Sequence, residues 1–317
     1  MRTRRLGRTD LTVTELGFGA AAIGNLYRPT DEATAAAAVH AAWDAGVRYF
    51  DTAPHYGLGL AEKRLGRALA RYPREQYVLS TKVGRLLVPN PAPTGSDLAG
   101  NLFAVPDTLR RQFDYSRDGV RRSLEASLER LGVDRVDLAL VHDPDDFVSQ
   151  TIAEAIPTLV ELREQGVVGA VGVGMNQWQA PMRMVRETDL DAVMLASRWT
   201  LVDRRGEPLL AECESRGVSV IAAAPYNSGL LATDWPNDDA YFDYGPAPVD
   251  LLSRARALAD VAVRHGNTLP QLAIQFPLRH EATAAVVVSM RTAEQAASSA
   301  ARLGASIGPQ VGTTSRT

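Results

Sequence analysis

Four residues in the first half of the chain have types and positions suited to moving one proton. Asp51 closes the apolar run Val47–Asp51, Tyr56 stands in the following loop, Lys82 closes Tyr77–Lys82, and His142 closes Val136–His142. A tyrosine hydroxyl ordinarily keeps its proton near neutrality. An ammonium beside it favours the phenolate and lowers its pKa. Lys82, fixed by an ion pair with Asp51, is expected to do this to Tyr56, while His142 hydrogen-bonds the substrate oxygen or relays its proton. Such a group takes a proton from an alcohol or gives one to a carbonyl. Singly, each residue has a plainer role: Lys82 as a snorkelling surface lysine, Asp51 as a loop cap, His142 as a satisfied buried histidine. Their occurrence together favours the chemical reading. The histidines His40, His55, His142, His265 and His280 show no H-x-x-x-H spacing and no cysteine partner, so no metal site is expected.

These residues need elements that bring strand ends together. Short apolar runs recur at Glu15–Gly19, Val47–Asp51, Tyr77–Lys82, Val136–His142, Val167–Val173, Ala192–Ser197, Ser219–Ala224 and Ala284–Ser289. Most are continuous rather than alternating, as parallel strands covered on both faces require. Helical patterns separate them: Asp31–Ala45, Ser116–Leu131, Thr151–Gln165, Leu209–Arg216, Asp250–His265 and Thr292–Leu303. Four of these end at a glycine before the next strand or run, a C-cap signal. The count predicts an α/β protein, a (β/α)8 TIM barrel, whose strand ends converge on one rim. A doubly wound dinucleotide-binding sheet fits less well. Gly17-Phe-Gly19-Ala-Ala-Ala22 lacks the third glycine of G-x-G-x-x-G. Arg4–Val13, turning at Gly7–Asp10, reads as an N-terminal β-hairpin on the barrel floor. The long segments Gly84–Tyr115 and Leu231–Val249 follow strands and are expected at the C-terminal mouth.

The chain has 317 residues, 45% hydrophobic and 22% charged, with a formal charge of -3. This is ordinary for a globular protein and gives no case for a nucleic-acid or membrane partner. One domain over residues 1–307 is expected, with a frayed polar tail at 308–317. The lone Cys213 precludes an intramolecular disulfide. No apolar run of signal-peptide or membrane-span length is present, so a cytoplasmic location is expected. A monomer and a homo-oligomer remain equally open.

The chain resembles the aldo-keto reductase superfamily. The resemblance rests on Tyr49-Phe-Asp51-Thr-Ala-Pro-His-Tyr56-Gly, Ser80-Thr-Lys82, Ser123–Gly132 with Val136–His142, and Gly172-Val-Gly-Met-Asn176, in order over nearly the whole chain. The details Ala53-Pro-His55-Tyr56-Gly-x-Gly-x-Ala-Glu62 and Asn176-Gln-Trp178 are similar to the aldose dehydrogenase branch. The resemblance implies an enzyme that binds NAD or NADP across the mouth of a barrel and oxidises a sugar hemiacetal to a lactone. Neighbouring expectations are a pyridoxal 4-dehydrogenase-like activity, a carbonyl reductase, and a non-catalytic nucleotide-sensing barrel. It implies catalytic roles for Asp51, Tyr56, Lys82 and His142.

By the same resemblance, cofactor contacts fall at Gly19, Ala20 and Asp51, at Asn176, and at Ser197. After the seventh strand they fall at Pro225, Tyr226, Asn227, Ser228 and Gly229, and after the eighth at Ser289, Met290, Arg291 and Gln295. Relatives selective for NADP carry a lysine near Ser289 and an arginine at Gln295. Both charges are missing here, which favours NAD, with Arg291 as a partial substitute. Substrate contacts are expected at His55, Tyr56, His142, Trp199 and Tyr226. Trp235 and Tyr241 are further wall candidates, and Asn227 and Asp114 further hydroxyl readers.

Overall fold

The computed structural model describes residues 1–307. The expected tail at 308–317 lies outside the described residues. Eight parallel strands close into a barrel: β1 (Leu16–Gly19), β2 (Tyr49–Asp51), β3 (Val78–Val83), β4 (Val136–His142), β5 (Val168–Met175), β6 (Ala192–Ala196), β7 (Ser219–Ala223) and β8 (Thr283–Ser289). Each pairs with its neighbours in sequence, and β8 returns to β1 through Val286↔Leu16 to Ser289↔Gly19. The continuous apolar runs are explained by two covered faces. Tyr49, Val78, Leu138, Leu140, Met194, Ile221 and Val287 fill the interior. Phe18, Phe50, Leu79, Val141, Val193 and Val220 face outward and pack in the layer shared with the helices.

The helices of seven residues or more are α1 (Glu32–Asp44), α2 (Leu60–Leu69), α3 (Arg117–Leu131), α4 (Ile156–Glu164), α5 (Gln179–Glu187), α6 (Glu207–Arg216), α7 (Val249–Arg264), α8 (Leu269–Gln275) and α9 (Ala293–Gly304). Asp31, Ser116 and Thr292 cap α1, α3 and α9, each accepting a backbone N–H three residues on. Sequence patterning did not give α2, α5 or α8. The first two begin without a side-chain cap, and α8 has only 7 residues. The turn Thr151–Ala155 before α4 is π-helical rather than a continuation of an α-helix. Strand β2 starts later than its apolar run because the Val47 N–H is spent on Ala42 O, closing α1.

Before the barrel, Thr3–Arg5 pairs antiparallel with Thr12–Thr14. Leu6 and Val13 enter the interior cluster from the floor. Arg4 fastens this hairpin by donating to Thr283 O (2.9 Å) and Leu278 O (3.1 Å). The segment expected as a long loop after β3 instead builds its own hairpin, Arg85–Pro89 with Leu109–Phe113. Gly84 makes its entry possible: φ is +97° there, and a Cβ would lie 2.2 Å from the Tyr115 ring. The segment after β7 carries a smaller hairpin, Tyr241–Phe242 with Gly245–Pro246. Among the described residues no helix is long and apolar enough to cross a membrane. Cys213 is buried in α6, and burial pushes its thiol up to about 12.

Candidate active site

Parallel register delivers the expected residues to one rim. Asp51 pairs with Ser80 across β2 and β3, Lys82 with Leu140 across β3 and β4, and His142 with Gly174 across β4 and β5. Asp51, Lys82 and His142 thus sit at or near the C-terminal ends of three successive strands. Tyr56 comes from the loop after β2. That loop is held by a close approach of Gly57 to Gly24: φ at Gly57 is +63°, and a Cβ would meet Gly24 O at 2.2 Å.

Lys82 Nζ donates to Asp51 Oδ2 at 2.7 Å, Oδ1 at 3.0 Å and Thr52 O at 2.9 Å. Ser80 Oγ donates to Asp51 Oδ1 at 2.8 Å. Both charged side chains are almost wholly buried. The Lys82 ammonium lies 4.8 Å from the Tyr56 ring centroid. Burial alone would discharge this lysine. The Asp51 and Tyr56 groups beside it more than compensate, so its pKa is raised and it stays cationic.

The tyrosine differs from expectation. Burial pushes the Tyr56 phenol up, and the Lys82 charge opposes that shift without reversing it. The physical reason is that the hydroxyl lies in the same dry environment that makes the ammonium effective. Tyr56 is therefore a protonated phenol with a cation poised to stabilise its loss of the proton.

His142 is buried, and its ring centroid is 5.9 Å from that of Tyr56 and 5.6 Å from that of His55. Burial, with the charges of Arg85 and Lys82, holds His142 well below the usual imidazole range. His55 is lowered to about 2 for the same reason, with Arg85, Arg111 and Lys82 adding to burial. Both are neutral, so His142 acts as a hydrogen-bonding group rather than as an acid. The Nδ1 atoms of both rings are buried with no partner among the described residues. Buried polar atoms are normally paired, so these two lack their usual partner.

Several supporting residues carried no sequence signal. Asp143, at φ 40°, accepts from Arg85 at 2.6 Å and lies 3.5 Å from His142 Nε2. Tyr115 donates to the carbonyls of His142 (2.7 Å) and Asp143 (3.0 Å). Arg111 joins Asp97 to His55 O. Phe103 packs on His55 at 5.2 Å and Tyr56 at 6.0 Å. Apart from Asp143, which follows β4, these come from the hairpin segment after β3, whose partners are remote in sequence. Glu62 had been noted only as part of a motif. It is fully buried, accepting from Thr81 (2.7 Å) and Arg130 (2.6 Å), and so ties β3 to α2 and α3.

The residues expected at the nucleotide line the opposite half of the mouth. Gly19 ends β1, and the Ala20 N–H donates to Asp51 O. Asn176 follows β5 and is half-buried. Ser197, at φ 60°, is buried and its carbonyl accepts from Asn227. Beyond the buried Pro225, three residues in a row, Asn227, Ser228 and Gly229, have positive φ. Such a run of main chain can form an anion-binding concavity. Asn227 Oδ1 is buried and unpartnered among the described residues. These features fit a dinucleotide. Ser289 Oγ accepts from the Ala22 N–H, and Met290 is buried. Gln295 accepts from the Arg291 N–H. The Arg291 guanidinium is drawn onto the loop after β1, donating to Leu26 O, Arg28 O and Thr30 Oγ1. Arg28 stands beside it, exposed.

The aromatic wall is not where sequence placed it. Trp199 is buried, donates to Pro277 O (3.2 Å) and packs on Phe276 and His280, outside the barrel. The Tyr226 phenol faces Ser299 and Arg302 of α9. Trp235 is half exposed under Arg256. Asp114 is consumed in capping α3, accepting from Ser116 and Arg122. Tyr241 is exposed near Tyr27. None of the first four is brought to the catalytic group. The reason is local: each has its own packing or capping partner nearby.

A closed eightfold barrel whose rim carries a buried lysine–aspartate pair, a tyrosine and a neutral histidine defines an oxidoreductase site. Residues 15–306 match the family model described as "Aldo/keto reductase family", and the chain belongs to that family. It is 46% identical over 282 residues to a D-threo-aldose 1-dehydrogenase from a Pseudomonas species, covering 88% of this chain and 85% of that one. It is 39% identical to a pyridoxal 4-dehydrogenase from Microbacterium luteolum, covering 92% and 90%. A holo aldo-keto reductase from Bacillus halodurans superimposes with a TM-score of 0.79 at 25% identity, covering 99% and 95%. The protein is thus an aldo-keto reductase family enzyme, and enzymes of this family use nicotinamide cofactors.

Proposed function

We propose that this enzyme oxidises the anomeric carbon of a free aldose to the lactone, with NAD preferred. The observation that carries the reading is the neutral His142 and the protonated Tyr56 facing one space, with the buried Lys82–Asp51 pair behind the tyrosine. The 46% identity to an aldose 1-dehydrogenase supports the substrate class.

A bound nicotinamide supplies the hydride acceptor, and the residues after β5 to β8 and at Gly19–Ala20 would hold it. The remaining work belongs to side chains of this chain. His142 fixes the C1 hydroxyl by a hydrogen bond. For oxidation the Tyr56 phenol first gives its proton to solvent, and the phenolate then takes the C1 hydroxyl proton as C1 loses its hydride to the nicotinamide, so that the C1–O single bond becomes the lactone carbonyl. Lys82 lowers the cost of forming that phenolate, and Asp51 keeps Lys82 in place. Run backwards, the same group would protonate a carbonyl.

The preference for NAD rests on the absence of a cation at Ser289 and Gln295 and on the engagement of Arg291 with main-chain acceptors. The pyridoxal 4-dehydrogenase relative supports a second substrate, an aldehyde held as a cyclic hemiacetal, which presents the same C1 chemistry. Production of reduced nicotinamide from free aldoses and pyridoxal, and its consumption with methylglyoxal, each with the NAD and the NADP couple separately, tests the reading. Turnover of aldoses with NAD is expected. Activity confined to open-chain carbonyls, or cofactor binding without turnover on any of them, would overturn it.

A further inference from the structure

The residue after His142 sits in backbone that its neighbours hold in place. Asp143 has φ 40°, in the left-handed region that aspartate and asparagine tolerate and most other residues avoid. Its N–H donates to Gly174 O at 2.9 Å, its carbonyl accepts from the Tyr115 hydroxyl at 3.0 Å, and its Oδ2 accepts from Arg85 at 2.6 Å. Backbone of this kind persists where surrounding structure over-determines it, and it clusters at working sites.

This conformation sets a carboxylate beside the catalytic imidazole. Asp143 Oδ2 lies 3.5 Å from His142 Nε2. The neutral His142 ring carries a single N–H. Its Nδ1 is buried with no partner among the described residues, so the carboxylate next to Nε2 favours the proton on that nitrogen. A donor, the Nε2–H group, and an acceptor, the Asp143 carboxylate, thus stand side by side. The ring that carries the donor has its centroid 5.9 Å from that of Tyr56.

The carboxylate has capacity to spare. Arg85 and His142 both meet Oδ2, and among the described residues Oδ1 accepts no hydrogen bond. An ionised carboxylate can accept about four. The Asp143 side chain is 18% exposed against 10% for Arg85, so the acid of the pair is the one that keeps open surface. Arg85 is anchored in turn, its guanidinium 5.3 Å from the Phe113 ring centroid on the hairpin after β3.

We propose that Asp143, held by Arg85, accepts a hydrogen bond from the hydroxyl on the carbon next to C1, while His142 Nε2 donates to the C1 oxygen. A donor and an acceptor 3.5 Å apart can meet two oxygens on adjacent carbons, which a 2-hydroxy aldose presents and a 2-deoxy sugar does not. This deepens the aldose reading and rests on it for the choice of ligand. A hydroxyl donating to a charged acceptor makes a short, strong hydrogen bond. A site built for that bond rejects the analogue that lacks the hydroxyl, because the carboxylate is then left unpaired. Asp143 is a specificity-determining residue and takes no part in proton transfer.

The test compares an aldose with its 2-deoxy counterpart in the parent, in Asp143→Gly and in Asp143→Asn. Glycine keeps the left-handed backbone and removes the carboxylate. Asparagine keeps the backbone and one acceptor oxygen but not the charge. The readout is the ratio of kcat/KM for the two sugars. That ratio is independent of the fraction of enzyme folded, and the intrinsic difference in C1 reactivity between the sugars is common to every variant. Calorimetric Kd values of both sugars for enzyme loaded with NADH, in which no oxidation proceeds, read binding alone. The preference for the 2-hydroxy sugar should fall about ten- to a hundredfold in Asp143→Gly, the worth of one hydrogen bond to a charged group, and by less in Asp143→Asn. The Kd ratio should move in the same direction. A loss shared equally by both sugars would make Asp143 a support for the rim alone, and the inference fails. Aldose oxidation whose ratio Asp143→Gly leaves unchanged likewise overturns the inference and keeps the proposed function. Binding that discriminates through Asp143 in an enzyme that oxidises neither sugar does the reverse, and an enzyme that binds neither sugar overturns both.

Discussion

Acidification should unload the two active-site histidines into the unfolded chain, and the cost can be worked from their burial. His55 titrates at about 2 in the folded protein, because burial and the charges of Arg85, Arg111 and Lys82 all oppose protonation. Unfolded, it titrates near about 6.5. The unfolded state therefore binds more protons throughout that interval. The stabilisation is fully present above the unfolded value and drains away as the pH falls below it. From pH 7 to pH 5, one histidine that stays neutral when folded costs about 2 kcal/mol. His142 is shifted in the same direction by burial, Arg85 and Lys82. Its cost adds to that of His55 in the same sense, against a typical stability of about 5–15 kcal/mol.

Raised carboxylates act in the opposite sense. Burial lifts Asp51, Glu62 and Asp143, so these take up protons in the folded state first and soften the loss near pH 5. A difference measurement removes them. Urea denaturation of the parent and of His55→Asn and His142→Asn at pH 7 and pH 5 gives the stability gap for each variant. The His55→Asn gap should move by about 2 kcal/mol in favour of the variant on acidification, and the His142→Asn gap in the same direction. A gap that does not change with pH would refute the claim that the folded protein holds that histidine neutral. The roles drawn from it for His142 would fall too.

Further expectations follow from the same geometry. Tyr56→Phe should lower kcat by roughly 100- to 10,000-fold, the worth of a positioned acid–base group, with the cofactor Kd nearly unchanged in a fluorescence titration. Asp51→Asn leaves Lys82 buried without its counter-ion and should cost about 3–5 kcal/mol in a denaturant titration. It should also shift the pH profile of kcat, since the lysine loses the anion that raises its pKa. Gly57→Ala puts a methyl group 2.2 Å from Gly24 O at a left-handed φ, so both stability and kcat should fall, seen by thermal melting and by turnover. Arg28→Ala should weaken NADP more than NAD in parallel Kd titrations, because Arg28 is the exposed cation beside the engaged Arg291. Equal loss for both cofactors would remove it from any contact with the 2′-phosphate.

The barrel was legible because its signal is repeated. Eight apolar runs of strand length, several closed by a glycine-ended helix before the next, leave few architectures that cover both faces of every strand. The misses lie where that grammar is silent. Helices α2 and α5 start without side-chain caps, and so no residue announces them. The segment after β3 reads as loop because it is rich in Pro, Gly and Asn. Its hairpin depends on Gly84 admitting the Tyr115 ring, a contact no local pattern encodes. The proposed catalytic residues could be brought together in the sequence because three of the four, Asp51, Lys82 and His142, stand at or near strand ends. The aromatic wall could not, because the same residue type serves packing and binding alike: Trp199 found Pro277 and Phe276.

The direction of the Tyr56 shift shows why geometry had to be added to residue type. A tyrosine beside a lysine reads as an acidified phenol, but the same burial that removes screening water also penalises the phenolate. The lysine is itself kept charged by Asp51 at 2.7 Å, so part of its field is already neutralised. What remains is a phenol whose proton is held at rest and whose conjugate base gains most at the moment charge develops. In the carbonyl-reducing direction that stabilisation would fall on the transition state; in the proposed oxidation it would fall on forming the phenolate that takes the proton.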